Sequence, residues 1–465
     1  MASLQALHDR FGRNVAFGLV VRLDDGADPL GKVITAVSGA DARVGKVDLV
    51  ELQSGAADYR LQVFCRSDQQ MEQVRAAAAA IAGVRVLAVL DLPLEAHRGG
   101  SCEMRGRVPI TSNTDLRIVY TPGVARVCKA IEADPSKARE FTGIPNKVAI
   151  ATNGTAILGL GDIGCLAGLP VMEGKSSIFW EFVKVSAEPV LIDTHDADEF
   201  INVMEKLAVG FGAIQIEDVA APQCFRITRE LDKRLPIPVM HDDQHGTATI
   251  VLAGLFSALR RTGRKIGDIR CVMSGAGAAG TAIADLLVDQ GIADVVLCDR
   301  TGAIHRGRKE GMNPEKEALA ERTNRENFKG TLADAMKGRD LFIGVSQANI
   351  VSKEMVRSMA KGPIVFALAN PVSEISKSDA LSAGAAIYAD GRTINNALAY
   401  PGIFRGALDM GAEMISVEMV TAAARKLADL ARGDDLMPEM MDPATHQGVA
   451  AAVMACPRKG TMLVK

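Results

Sequence analysis

One stretch limits the fold of this chain more than any other: three glycines in the spacing Gly-x-Gly-x-x-Gly, at Gly275, Gly277 and Gly280. An apolar run over 269–274 precedes them and predicts a strand, while the pattern over 279–290 predicts a helix with one apolar face. A second apolar run then ends at Asp299, about 20 residues after the last glycine, which is the separation typical of dinucleotide-binding units. The stretch therefore predicts a Rossmann-type nucleotide-binding domain.

The backbone N–H groups at the start of this helix are expected to hold a pyrophosphate, and Asp299 is expected to bind the ribose hydroxyls. Because a carboxylate repels a 2′-phosphate, Asp299 favours NAD as the cofactor, whereas the adjacent Arg300 leaves NADP possible. The residues of the turn that we expect to contact the dinucleotide are Gly275, Gly277, Ala278, Ala279 and Gly280.

Further strands are predicted over 340–346, 363–369 and 386–389, with a helix over 353–361, which continues a doubly wound sheet. Open α/β sheets bind their ligands at the carboxyl ends of the strands. Ser346, Asn370 and the Asn395-Asn396 pair lie at or just beyond such ends and are therefore candidate binding residues.

A second Gly-x-Gly-x-x-Gly stretch spans 159–164. Pro170 follows within six residues of its last glycine, so no long helix is predicted there. We interpret this stretch as a tight glycine turn that shapes a cleft.

Four carboxylates follow two predicted strands, over 213–216 and 237–240, and these are Glu217, Asp218, Asp242 and Asp243. Such a cluster would repel itself unless a cation holds it together, and oxygen-only ligands favour Mg²⁺ or Mn²⁺. Neighbouring strand residues point to opposite faces, so both members of a pair can ligate only where the strand bends. We expect three ligands, with the fourth carboxylate behind them.

Two other interpretations of this region stay open. His241 and His245 have the i, i+4 spacing that suits zinc on a helix, although Gly246 argues against a helix holding both. The four acids could also form a solvated loop that binds nothing.

Residues 1–95 form a separate predicted unit with the element order βαββαβ, the ferredoxin-like motif, and Asp68 is the expected N-cap of its second helix. This unit resembles the ACT domain family of small regulatory modules, and the turn from Asp24 to Leu30 resembles that family's ligand loop. The resemblance implies either a sensor for a small-molecule effector or a purely structural or dimerising module.

The overall composition excludes several classes of protein. With 53 Lys+Arg and 56 Asp+Glu the net charge is −3, which gives no support to nucleic-acid binding. No uncharged apolar run reaches the ~18–20 residues of a membrane span, so we expect a cytoplasmic protein without membrane contact. The eight cysteines are scattered without Cys-x-x-Cys spacing, which predicts reduced thiols.

Residues 114–430 resemble the short bacterial form of the malic enzyme family through several motifs in order. These are Tyr120-Thr-Pro-Gly-Val-Ala, the stretch from Thr152 to Gly164, Val171-Met-Glu-Gly-Lys175, Ile216-Glu-Asp218, His241-Asp-Asp-Gln-His-Gly-Thr247, Ala369-Asn-Pro371 and Asn395-Asn396. The resemblance implies an α/β substrate and metal domain over 96–245. It implies a nucleotide domain with a helical C-terminus over 246–465.

It further implies oxidative decarboxylation of malate to pyruvate and CO₂ with NAD(P)⁺ and Mg²⁺ or Mn²⁺, in a homo-oligomer. Lys175 would be the general base, with its pKa depressed by burial and the cation, and Tyr120 would be the general acid. The metal ligands would be Glu217, Asp218 and Asp243, with Asp242 behind them, and the contacts to substrate or nicotinamide would be Asn370 and Asn396.

One position departs from the pattern of the larger members of that family, which carry an arginine for the malate carboxylate. Here the position is Thr155, so backbone amides, the asparagines or a residue of a second subunit could bind the carboxylate instead. Two other functions stay open: an NAD-linked hydroxy-acid or amino-acid dehydrogenase without decarboxylation, and a metabolite-sensing regulatory protein.

Overall fold

The computed structural model describes residues 15–24, 29–53, 55–157, 160–370 and 372–463. The chain divides into two compact units, Met1–Glu103 and Met104–Lys465. Within the described residues, no helix is both long enough and apolar enough to cross a membrane.

The first unit is a four-stranded antiparallel sheet in the order β2-β3-β1-β4, with the βαββαβ succession that the sequence predicts. Its elements are β1 (Val15–Asp24), α1 (Pro29–Gly39), β2 (Arg43–Gln53), β3 (Ala56–Cys65), α2 (Asp68–Ala79), β4 (Val84–Asp91) and α3 (Leu92–His97). Alternate residues of β1 and β3 meet α1 and α2 in one apolar core, as a half-buried sheet requires.

Two predictions for this unit need comment. The N-cap of α2 is Ser67 and not Asp68: Ser67 has extended backbone and its hydroxyl accepts a hydrogen bond from the N–H of Gln70, while Asp68 is already helical. Most of the predicted ligand loop, residues 25–28, lies outside the described residues.

The second unit begins with helices and then forms a four-stranded parallel sheet in the order β6-β5-β7-β8. Its first elements are α4 (Asn113–Val119), α5 (Val124–Ala133), α6 (Ala138–Phe141), β5 (Lys147–Thr152), α7 (Cys165–Val183), β6 (Ser186–Leu191), α8 (Ala197–Leu207), β7 (Ala213–Ile216), α9 (Gln223–Arg234) and β8 (Val239–His241). Each parallel connection uses a helix. Strands β5, β7 and β8 are almost fully buried, whereas the edge strand β6 is only partly buried.

The prediction that no long helix follows the glycine stretch at 159–164 is wrong. Helix α7 starts directly after Gly164 and continues for 19 residues with Pro170 inside it, so Lys175 lies within the helix. Proline removes one backbone hydrogen bond, but Met172 and Phe179 are fully buried on the same helix. Tertiary packing of this face therefore outweighs the local propensity.

A six-stranded sheet in the order β11-β10-β9-β12-β13-β14 follows, parallel except for β11. Its strands and helices are α10 (Thr247–Thr262), β9 (Arg270–Ser274), α11 (Ala278–Asp289), β10 (Asp294–Asp299), β11 (Gly302–Ala303), α12 (Pro314–Arg322), α13 (Leu332–Met336), β12 (Leu341–Gly344), α14 (Lys353–Arg357), β13 (Ile364–Ala367), α15 (Lys377–Ser382) and β14 (Ile387–Asp390). The chain ends in α16 (Tyr400–Met410), α17 (Val417–Leu430) and α18 (Pro443–Met454).

One apolar core joins the two parallel sheets and the C-terminal helices. It contains Ile150 of β5, Met172 of α7, Met273 of β9, Phe366 of β13 and Leu427 of α17. The predicted fold class, an α/β chain with a ferredoxin-like unit, a parallel-sheet substrate half and a Rossmann-type half with a helical C-terminus, is confirmed.

Candidate active site and nucleotide site

Three of the predicted carboxylates converge at the end of the four-stranded sheet. Glu217, Asp218 and Asp243, which we call the acidic triad, each offer a carboxylate oxygen within 4.8 Å of the others. Glu217 and Asp218 are buried, and the backbone N–H of Asp218 donates to Oδ2 of Asp243 over 3.0 Å. Among the described residues this is the one cluster of potential metal-binding side chains.

Strand register brings the triad together. Strands β7 and β8 are parallel neighbours, and Ile216 pairs with His241 at their last positions. The next residues on both strands must therefore meet at the sheet edge. Asp218 has φ +52, a left-handed conformation uncommon outside glycine, so the chain bends there and both Glu217 and Asp218 can face the same point.

Beyond β8, the chain forms one wide helical turn over Asp242–Gly246 before α10 begins. This turn separates the two neighbouring aspartates, because Asp243 joins the acidic triad while Asp242 is fully buried and faces Lys175. A side chain at Gly246 would collide with the Asp242 carboxylate, so only glycine fits that position.

Lys175 lies beside the triad, on α7. Its Nζ is 2.5 Å from Oδ2 of Asp242 and 2.9 Å from Oε1 of Glu217. Burial by itself lowers the pKa of Lys175, but the carboxylates of Asp242 and Glu217 outweigh it and raise that pKa well above its ordinary value. The depressed pKa that we expect for Lys175 requires a cation at the neighbouring carboxylates, so it stays a prediction.

Burial raises the pKa of Glu217, and the neighbouring carboxylates add to that rise while Lys175 opposes it. The negative charge of the cluster is therefore only partly offset by the chain itself. This is the electrostatic setting that a divalent cation would relieve.

Asn396 connects this centre to the second half of the unit. Its Nδ2 lies 3.3 Å from Oδ2 of Asp242 and donates to the hydroxyl of Thr247 over 3.0 Å. The short turn Asn396–Leu398 then leads directly into α16.

Sequence reasoning missed Tyr400, the first residue of α16. Its ring is 1% exposed, and Nζ of Lys175 lies 4.7 Å from the ring centroid. The only signal in the sequence is its position four residues after Asn396, which does not by itself indicate a contact with Lys175.

Tyr120 is placed differently from the other predicted site residues. It directly follows α4, and its side chain is 64% exposed. The aromatic ring that faces Lys175 within this chain is that of Tyr400 and not that of Tyr120.

Thr155, which stands at the position of the expected arginine, is already engaged by its own chain. Its hydroxyl donates to Oδ1 of Asn153 over 2.7 Å and accepts the N–H of Ala220 over 2.9 Å. The one proton of the hydroxyl is used in holding two loops together, so this hydroxyl cannot also donate to a ligand.

His241 and His245, the residues of the zinc alternative, are both buried. Burial lowers the pKa of His241, with Asp243 opposing the change, and burial lowers the pKa of His245 to about 3. His241 ends β8 and His245 lies in the wide turn, so no regular helix presents the two rings together.

The second glycine turn has the geometry that its motif predicts. Gly275 has φ +110, and a side chain there would lie 2.7 Å from the carbonyl oxygen of Val345. A side chain at Gly280 would lie 1.9 Å from the carbonyl oxygen of Gly275. Ala278 and Ala279 begin α11, whose N-terminal N–H groups face the turn, and Gly277 has open space beside its Cα.

Ser346 and Asn370, both exposed, follow β12 and β13 at the same edge. A residue that sequence reasoning missed supports them: the fully buried Glu374 accepts the N–H groups of Ser346 and Ala369 over 3.0 and 3.1 Å. The hydroxyl of Ser346 also lies 2.7 Å from that of Ser274, at the end of β9. These bonds fix the two loops beside the glycine turn.

Asp299 is paired by cations of its own chain. Arg308 and Lys316 both donate to its Oδ2 over 2.6 Å, and the hydroxyl of Thr301 donates to its Oδ1 over 2.8 Å. Partial burial would raise the pKa of Asp299, but these hydrogen bonds outweigh it and lower the pKa to about 2. The argument that Asp299 repels a 2′-phosphate is thereby weakened.

Comparison with known proteins identifies the family. The model "Malic enzyme, N-terminal domain" matches residues 101–232, and "Malic enzyme, NAD binding domain" matches residues 244–455. The NAD-dependent malic enzyme of Geobacillus stearothermophilus is 41% identical over 436 residues, covering 92% of this chain and 91% of the relative. This chain belongs to the malic enzyme family.

Two further malic enzymes agree. The bifunctional malic/malolactic enzyme of Bacillus subtilis is 46% identical over 369 residues, covering 78% of this chain and 90% of that protein. The crystal structure of the NAD-dependent malic enzyme of Thermotoga maritima matches with a TM-score of 0.76 at 39% identity, covering 78% of this chain and 98% of that one. The malic enzyme NAD-binding domain contains the glycine turn and Asp299, which confirms the nicotinamide dinucleotide as a cofactor.

Proposed function

We propose that this chain oxidises and decarboxylates malate to pyruvate and CO₂ with reduction of NAD(P)⁺, using a divalent metal. The observation that carries the proposal is the contact of Lys175 with Asp242 and Glu217 directly beside the acidic triad. A base next to three converging carboxylates suits removal of a proton from a substrate hydroxyl beside a metal that these carboxylates would hold. The malic enzymes named above support the substrate.

The acidic triad fits Mg²⁺ or Mn²⁺. It offers oxygen ligands only, and two of its members are buried. Among the described residues, Lys175 is the one cation in contact with Glu217. Bound there, a divalent cation would acidify the 2-hydroxyl of malate and act as the Lewis acid for loss of CO₂. The two buried histidines favour oxygen ligation over a zinc site, because neither joins the cluster.

Lys175 is the group that accepts the 2-hydroxyl proton. A base must be neutral when it accepts a proton, so the negative charge of Asp242 and Glu217 has to be offset before Lys175 can act. Asp242 then remains as the buried partner that keeps the lysine in place. Asn396 holds Asp242 and lies close enough to the centre to contact the substrate.

Tyr120 is the proposed acid that protonates C3 of the enolate after loss of CO₂. Its exposed side chain belongs to a segment in which Leu116, Ile118 and Val119 are also exposed and α5 buries no residue. Such an apolar surface fits pairing with a second copy of this chain, which would give Tyr120 a covered site. We therefore propose a homo-oligomer with this segment in its interface.

The nucleotide proposal is NAD with NADP as an accepted alternative. Asp299 supplies acceptors for ribose hydroxyls, while Arg308 and Lys316 remove most of its repulsion toward a 2′-phosphate. Ser346 and Asn370 are proposed to contact the dinucleotide beside the glycine turn.

The N-terminal unit is proposed to be an ACT-like regulatory module, with domain boundaries near residues 95 and 245. The family models begin only at residue 101, so this unit lies outside them. Deleting residues 1–95 should retain malate oxidation and remove any response to metabolites. A full-length enzyme without any metabolite response would contradict a regulatory function.

A coupled assay tests the main proposal. Formation of reduced nicotinamide is followed with malate and Mn²⁺, first with NAD⁺ and then with NADP⁺, and CO₂ release is measured in parallel. Equal amounts of reduced nucleotide and CO₂ are expected. Reduced nucleotide without CO₂ would instead indicate a hydroxy-acid dehydrogenase.

Tyr120→Phe separates the two half-reactions in the same assay. If Tyr120 acts after hydride transfer, the variant should stop forming pyruvate while it still reduces oxaloacetate. An equal loss of both activities would contradict this assignment.

A further inference from the structure

One buried polar group beside Lys175 is not used by the chemistry described above: the hydroxyl of Tyr400. The side chain is 1% exposed, and its oxygen has no hydrogen-bond partner among the described residues. Buried hydroxyls are nearly always bonded in folded proteins, because leaving one without a partner costs free energy. An unbonded hydroxyl at a candidate active site therefore indicates a partner that arrives with a ligand.

The ring of Tyr400 is held firmly against the helix that carries Lys175. It packs edge-to-face on Phe179, with 5.0 Å between ring centroids, and Phe179 lies one helical turn after Lys175. The Nζ of Lys175 lies 4.7 Å from the Tyr400 ring centroid, within the range of a cation–π contact. The ring thus completes the surroundings of an ammonium that already contacts Asp242 and Glu217.

A dicarboxylate substrate needs hydrogen-bond donors, and the described side chains around Lys175 are mostly acceptors or already bonded within the chain. Four carboxylates already lie there, and the hydroxyl of Thr155 is used within the chain. The amide of Asn396 is directed at Asp242 and Thr247. The hydroxyl of Tyr400 is a donor without such a commitment.

We propose that the hydroxyl of Tyr400 donates a hydrogen bond to a carboxylate oxygen of the bound C4 dicarboxylate, while its ring positions Lys175. This inference rests on the proposed function. Burial raises the pKa of the Tyr400 phenol, and Lys175 opposes that rise only in part, so the group is a neutral donor that adds no negative charge. Tyr400 takes over part of the task that the missing arginine leaves open.

Two substitutions separate the hydroxyl from the ring. In Tyr400→Phe the ring remains, so malate binding in the presence of Mn²⁺ and without nucleotide should weaken by about 10- to 100-fold in calorimetry, as expected for a lost bond to a charged group. KM for malate should rise by a similar factor while kcat changes less. Tyr400→Leu also removes the ring and should lower kcat in addition, since Lys175 loses its support.

Thermal unfolding without ligands tests whether the hydroxyl instead stabilises the fold. Removing a hydroxyl that is bonded within the folded protein would lower the unfolding midpoint. Because the hydroxyl has no partner in the ligand-free protein, Tyr400→Phe should leave the midpoint unchanged or raise it. Tyr59→Phe removes a phenol hydroxyl in the N-terminal unit and should change neither malate binding nor KM.

The outcomes are distinct. A Tyr400→Phe protein that binds malate as tightly as the wild type would overturn this assignment alone, as would a variant whose unfolding midpoint falls together with its affinity. A wild-type protein that neither binds nor oxidises malate would overturn the proposed function and this assignment together. Weaker malate binding with an unchanged or higher midpoint supports it.

Discussion

The two sheets of the second unit each carry acidic residues at the carboxyl ends of their strands. The two sets differ in how far other side chains of the protein neutralise their negative charge. Asp299 receives Arg308, Lys316 and a hydroxyl, so its pKa is lowered to about 2 although burial opposes this. In the acidic triad burial raises the pKa of Glu217, and Lys175 only partly offsets it. We call the first the completed edge and the second the incomplete edge, where the proposed divalent cation would offset the charge that Lys175 leaves.

This difference predicts where a substitution acts. At a completed edge, removing a charge breaks bonds that exist in the ligand-free protein, so stability should fall. At an incomplete edge, removing an acid relieves repulsion, so stability should rise while binding is lost. The predictions below test this contrast from the largest expected effect to the smallest.

Lys175→Ala should give the largest effect. Loss of the base should lower kcat for malate oxidation by about 10²- to 10⁴-fold, the range of a positioned general base. Mn²⁺ affinity, measured by calorimetry, should stay the same or increase because a competing cation leaves Glu217. Lys206→Ala, an exposed lysine of α8, is the matched control, and near-normal turnover of Lys175→Ala would refute the role of the base.

Asp218→Asn should abolish metal binding and raise the stability of the protein without metal. Asparagine tolerates the left-handed backbone of this position, so the change removes charge without strain. The metal-free unfolding midpoint should rise by about 2 °C, and the stabilisation by Mn²⁺, about 2.7 kcal/mol for the wild type at a hundredfold excess over Kd, should disappear. The exposed Asp434→Asn serves as control. Equal stabilisation of Asp218→Asn by Mn²⁺ would exclude the triad as the metal site.

The sequence predicted the completed edge in greater detail than the incomplete one. The spacing of Gly275, Gly280 and Asp299 reports a local strand–turn–helix unit, and the structure has it within one residue. The positions of Asp218 and Asp243 after two strands also indicated that they would meet. The side-chain partners were missed at both edges. Arg308 and Glu374 lie in loops, and Tyr400 lies far from Lys175 along the chain, and no helix or strand pattern reports such contacts.

At helix α7 a local pattern led to a wrong prediction. Pro170 indicated an end to the helix, but buried residues on both sides of the proline keep it continuous, and this continuity places Lys175 opposite Asp242. Local propensity was a poor guide here because the packing energy of a 19-residue helix exceeds the cost of one lost hydrogen bond.

Arg308→Gln tests the completed edge. Its guanidinium is buried on Asp299, so the substitution should lower the free energy of unfolding by about 1–3 kcal/mol. Since the pKa of Asp299 is lowered in the folded state, its contribution is present above its ordinary pKa and is lost as the pH falls toward 2. The difference between wild type and variant in chemical denaturation should therefore shrink in acid. A variant as stable as the wild type at neutral pH would contradict a completed edge.

Asp232 on α9 should give the smallest effect and the simplest test, because burial without neighbouring charges shifts its pKa. Its Oδ1 is buried and has no hydrogen-bond partner in the part of the chain that the structure describes, and burial raises its pKa to about 6. A raised folded-state pKa means that its stabilising contribution is complete below its ordinary value and is lost as the pH rises through 6. Asp232→Asn should thus raise the free energy of unfolding by about 1–2 kcal/mol at about pH 7.5, hardly change it at about pH 4, and leave malate turnover unchanged. An equal gain at both pH values would mean that the missing hydrogen bond of this buried carboxyl group, and not its ionisation, determines the change in stability. The reasoning for Glu217 would then fail with it.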